Sequence, residues 1–117
     1  MRKPGDAVTD LLQEMQGCTT ARACIDLALT DAYDEAEQAV AWLTCIETMF
    51  GRFKRVRLLG AEVTLVRFDL RNNEVVAVCQ QGNRQARVTL DSLELPNPSP
   101  VEQLWLRAWK RFSATSG

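Results

Sequence analysis

The sequence predicts an α+β domain in which a long central helix, an N-terminal helix and a C-terminal helix flank a small antiparallel sheet, either curled or closed as an SH3-like barrel. Three observations predict it. Between Asp31 and Phe50, apolar residues recur at Ala36, Ala39, Val40, Leu43, Ile46 and Phe50, the 3.6-residue period of an amphipathic helix. Between Val56 and Leu90, short alternating runs rich in Val and Leu are separated by Asn and Gly turns. After three closely spaced prolines, a second helical pattern runs from Ser99 to Phe112.

Taken in order, Met1 to Gly5 is expected to be loose. Asp6 caps a short helix from Ala7 to about Gln16, with Val8, Leu11, Leu12 and Met15 on one face and Gly17 as its stop. Over Ala23 to Thr30 the period becomes two, with Ile25, Leu27 and Leu29 alternating, and a half-buried strand is expected. The Ala and Leu content keeps a helix open as the rival. The long helix follows, with Asp31 as its N-cap and Trp42, Cys45 and Met49 widening its apolar stripe. Glu37, Ala41, Thr44 and Thr48 fall on its wet side, and Gly51 ends it.

Val56 and Leu58 make a short strand, Gly60 a turn, and Glu62 to Leu70 a longer strand. Its alternation breaks at Val66 and Arg67, which marks either a bulge or two buried faces. Arg71-Asn72-Asn73 and Gln81-Gly82-Asn83 are turns around a strand from Glu74 to Gln80. Arg84 to Leu90 is the next strand, with Ala86, Val88 and Leu90 inward and Arg87 and Thr89 outward. A single helical turn is expected over Asp91 to Glu94, then a stiff Pro96–Pro100 linker. Ser99 caps the closing helix, with Pro100 at its first position. Val101, Leu104, Trp105, Ala108, Trp109 and Phe112 form its packing face, and Ser113 to Gly117 is expected to fray. The 117 residues amount to one domain. It divides into an N-terminal helical extension over about 1–20, a strand–helix–β core over 23–95 and a closing helix over 99–113. Trp42, Trp105 and Trp109 are expected in one core.

Composition excludes several function classes. A net charge of -1 gives no global field to steer nucleic acid or a membrane surface. No apolar run approaches the ~20 residues a bilayer demands, and MRKPGDAVTDLL has no apolar core of a secretory signal, so a cytoplasmic location is expected. With no histidine there is no Ser-His or Cys-His nucleophile, no Gly-rich phosphate loop follows a strand, and a non-enzymatic role is expected. The four cysteines, Cys18, Cys24, Cys45 and Cys79, form no C-x-x-C pair. Cys45 and Cys79 sit in apolar patterns and read as small buried hydrophobes.

The densest acid lies at Asp31, Asp34, Glu35 and Glu37. On a helix, Asp31, Asp34 and Gln38 project in neighbouring directions, and oxygen donors gathered at a helix entrance suit a hard cation such as Ca²⁺. The same acids also complement the helix dipole without any ligand. The block Asp31-Ala32-Tyr33-Asp34-Glu35, followed by Ala39 and Trp42, resembles the small bacterial calcium-binding family known as CcbP. Val88 to Leu93 and the closing helix from Val101 to Phe112 resemble its last strand and terminal helix. The resemblance implies a calcium-binding protein that buffers or signals calcium, with Ca²⁺ ligands among Asp31, Asp34 and Glu35. The chain differs over Val66 to Asn73, where the family carries cysteine and acid. The alternative is an interaction module with a basic face, built from Arg52 to Arg57, Arg84, Arg87, Arg107, Lys110 and Arg111. That module would bind a protein or a nucleic acid through its basic face, with no metal, and of the two a protein partner is the expectation.

Overall fold

The computed structural model describes residues 6–116, with side chains from 10 to 114. The expectations for Met1 to Gly5, the Asp6 cap, Val8 and Gly117 lie outside the residues and side chains described. Three helices come first: α1 (Asp6–Gln16), α2 (Ala21–Ala28) and α3 (Glu35–Phe50). Strands β1 (Arg55–Leu58), β2 (Ala61–Arg71), β3 (Glu74–Gln81) and β4 (Arg84–Thr89) follow, then a 3-10 turn at Leu90–Ser92. A two-residue β5 (Leu93–Glu94) and α4 (Pro100–Ser116) complete the chain. The fold is α+β. The antiparallel sheet has the order β4-β3-β2-β1-β5 and is open, with β4 and β5 as its edges, rather than closed into a barrel.

The segment expected as a strand from Ala23 to Thr30 is helix α2. Thr20 supplies the reason, since its Oγ1 accepts from the Ala23 amide at 3.1 Å and caps a helix there. The buried positions are Cys24 and Ala28, four apart, which is a helical and not an alternating face. Helix α3 begins later than its acidic run suggests. Asp34, not Asp31, is the N-cap, with extended backbone and Oδ1 accepting from Glu37 N at 2.8 Å. Its buried stripe is Ala39, Trp42, Cys45, Ile46, Met49 and Phe50, while Val40 is 55% exposed and Ala36 faces solvent. The stripe is therefore centred on the residues expected only to widen it.

Helix α1 is more than an extension. Met15 is fully buried, and its carbonyl accepts from Trp105 Nε1 at 3.0 Å, tying the end of α1 to α4. Trp42 contacts Trp105 and Trp109 in T-shaped geometry, with centroids 6.0 and 5.4 Å apart, so the three tryptophans do share one core. Helix α4 continues through Ser116 rather than fraying from Ser113. Its start is a reciprocal cap: Glu102 N donates to Ser99 Oγ at 3.2 Å, and Ser99 N donates to Glu102 Oε1 at 2.8 Å.

Register divides the sheet into two faces. Val63, Leu65, Phe68, Val75, Ala77 and Cys79 point inward and are buried against the helices. The register slips between Leu65 and Arg67, leaving Val66 without a partner on β3. This is the bulge, and it lets Leu65 and Phe68 face the same core although they are three positions apart. Leu90 is buried as expected, but Ala86 is exposed, because the helical layer does not reach the first half of β4. At the β2–β3 turn Asn72 and Asn73 have φ of 52 and 61°, the left-handed pair that a two-residue hairpin needs.

Candidate binding surfaces

The acids at the start of α3 do not converge. Asp31 sits before the helix, exposed, in a turn with φ of 61°. It borders an open groove of about 440 Å³ with Thr30, Ala32, Glu37 and Val40. Asp34 is committed to its cap. Glu35 lines a different concavity, of about 310 Å³, shared with Asn72, Asn73, Glu74, Asp91 and Lys110. Four elements meet there: the first turn of α3, the β2–β3 hairpin, the 3-10 turn and the second half of α4. Among the described residues no three Asp, Glu or Cys side chains are grouped as a bound metal ion would need. The helical alignment of Asp31, Asp34 and Gln38 is thus corrected, because the helix starts after Asp34.

The thiols are held protonated. Burial pushes Cys24 up to about 12 and Cys45 up to about 11, and raises Cys18 and Cys79 as well. Cys45 and Cys79 are buried, as their apolar neighbours suggest.

Two cations of the expected basic run from Arg52 to Arg57 are held in ion pairs, Arg52 and Arg55. Arg52 makes a bidentate pair with Glu102, both contacts 2.8 Å, and lies over the Phe53 ring at 4.0 Å. Arg55 pairs with Glu62 at 2.8 Å. Arg57 stands between Glu62 on β2 and Glu94 on β5. Helix α4, which carries Arg107 and Lys110, packs against α2.

A different basic surface emerges on the outer side of the sheet. Arg67 on β2 and Arg87 on β4 lie on either side of Val78, and Asp69 and Thr89 flank Val76 in the next row. Arg71 faces Glu74 at the hairpin end. Val76 and Val78 are only 5% and 2% exposed although they face away from the helices. The guanidinium groups remain half exposed. Asp69 serves two of them at 3.9 and 3.8 Å, beyond hydrogen-bond reach, and its Oδ1 already accepts from Leu70 N at 2.8 Å. Arg87 was within reach of sequence reading, but Arg67 and Arg71 were not. Their common face depends on where the bulge falls, and the broken alternation at Val66 was the only signal. Comparison with family models, curated proteins and solved structures finds no match to this chain.

Proposed function

We propose that this chain is a non-enzymatic binding module whose working surface is the outer sheet face of Arg67, Arg71 and Arg87, and whose partner is an acidic protein segment. The observation that carries this reading is the pair Arg67 and Arg87, on either side of buried Val78, whose half-exposed guanidinium groups make only loose contacts to Asp69. Arginines not committed to tight pairs are prepared for carboxylates, which they bind in bidentate fashion. Nucleic acid fits less well, because no aromatic side chain lies on this face to stack a base. The test is an amide NMR titration of the labelled chain with poly-glutamate and, separately, with a single-stranded oligonucleotide. Shifts around Arg67, Arg71 and Arg87 that disappear in Arg67→Glu/Arg71→Glu support the reading. Equal response to the oligonucleotide, or no response to poly-glutamate, overturns it.

A calcium ion is the second reading, supported by the likeness of Asp31 to Glu35 to the CcbP helix start. Of the three expected ligands, Glu35 is the one that shares a concavity with other oxygen donors, namely Glu74, Asp91, Asn72 and Asn73. Lys110 on the same rim opposes a cation. Titration with Ca²⁺ against a Mg²⁺ control decides it. The absence of calcium-specific shifts at Glu35, Glu74 and Asp91 removes calcium from consideration.

A further inference from the structure

The two edges of the sheet are finished differently. On one side β5 pairs with Arg57 and Leu58 for two residues, and Pro96, which has no amide hydrogen to donate, then ends the ladder. On the other side β4 pairs with β3 over all six residues from Arg84 to Thr89, and among the described residues no strand pairs its far side. Five of those six residues are exposed, and Val88 is half-buried. Such an edge presents a row of unpaired amides and carbonyls, a template for another extended chain.

Charge selects the occupant. Strand β4 carries Arg84 and Arg87 and no acid. Two copies meeting along this edge would gather four arginines with no carboxylate on either strand to balance them. An incoming strand bearing acids turns the same repulsion into attraction. Arg84 and Arg87 are three apart, so they stand on opposite faces of the sheet, Arg87 outward with Val78 and Arg84 on the side of Ala86. Val88 is the apolar neighbour beside Arg87, turned inward. We infer that the β4 edge receives an extended acidic segment of a partner protein as a sixth strand. That segment would place an apolar residue opposite Val88, an acid opposite Arg87 and a second acid opposite Arg84. This deepens the outer-face reading, because Arg87 belongs to both surfaces, and it rests on that reading.

A synthetic peptide containing Val-Glu-Thr-Thr-Glu, titrated into the labelled chain, tests the inference by amide hydrogen exchange. Exchange at alternate β4 positions is expected to slow by about tenfold or more at saturation. Arg84→Glu is the discriminating variant, since Arg84 lies away from the outer face. It should weaken the peptide about tenfold, and a peptide with Lys in place of both Glu should bind Arg84→Glu/Arg87→Glu instead. Both side chains are exposed, and unchanged circular dichroism of the variants verifies that they fold. Unaltered β4 exchange with shifts confined to Arg67 and Arg71 overturns the edge and leaves the outer face standing. No response to this peptide or to poly-glutamate overturns both. A dimer in sedimentation, with β4 already protected in the free chain, also overturns it, since a second copy then holds the edge.

Discussion

Trp42 and Trp105 are both fully buried, yet their indole N–H groups fare differently. Trp105 Nε1 donates to the Met15 carbonyl, whereas Trp42 Nε1 has no acceptor among the described residues. Replacing Trp105 by Phe removes this hydrogen bond and leaves the Met15 carbonyl only the longer one from Cys18 N at 3.3 Å, costing about 0.5–1.5 kcal/mol on top of the lost volume. Trp42→Phe removes a donor that is already unsatisfied, so it loses packing alone. Urea unfolding followed by circular dichroism should therefore find Trp105→Phe the less stable of the two. Both tryptophans were legible as core from their helical spacing. The difference between them was not, because the acceptor lies ninety positions away in sequence. Cysteine chemistry belongs to the same scale. With Cys24 and Cys45 pushed up to about 12 and 11, an aromatic disulfide reagent at neutral pH should label these thiols only after denaturant is added.

Helix termini carry the next set of consequences. The acid before α3 is divided between a cap and a turn, so Asp34→Ala should cost about 1 kcal/mol. Asp31, at φ of 61°, should tolerate replacement by Gly without loss, since Gly adopts that region freely. Thermal melting of the two variants checks both. At α4 the Arg52 guanidinium, with help from the Ser99 amide, holds the Glu102 carboxyl below the usual carboxylate range. A carboxyl depressed by folding contributes stability that is complete above its unfolded pKa and is lost as pH falls through the folded one. Stability measured downward from pH 6 should therefore decline below about pH 4.3, and Arg52→Ala should flatten that decline. Elements were readable where period and punctuation agreed, as in α4 and the hairpins. They were misread at α2, where Ile25, Leu27 and Leu29 imitate a strand while Thr20 and the Cys24–Ala28 pair set a helix. Alternation over so short a run cannot by itself separate the two periods.

At the level of the whole molecule, near-neutral net charge conceals separation of charge. The outer sheet face gathers Arg67, Arg71 and Arg87 with Asp69 and Glu74 among them, while Asp31, Asp34, Glu35 and Glu37 lie around the start of α3. Binding of an acidic partner to a half-exposed basic face is screened by salt, so affinity for poly-glutamate should fall steeply between low and physiological ionic strength. Isothermal titration at two salt concentrations measures this. A salt-independent affinity would point to an apolar contact instead. The candidate surface was the least legible part of the sequence, because it is assembled from β2, β3 and β4 by register and carries no contiguous motif.

Val66 is the residue that this register leaves out. The single unpaired residue works as a phase shifter in a two-beat sequence: upstream of it odd-numbered positions face the core, and downstream even-numbered ones do. Without it, Val63-Thr64-Leu65-Arg67-Phe68-Asp69-Leu70 would alternate strictly against β3, so deleting Val66 should close the bulge and leave Phe68 and Leu70 inward and Arg67, Asp69 and Arg71 outward. The strand thus carries one residue more than its ladder uses, and the bulge absorbs it without disturbing either face.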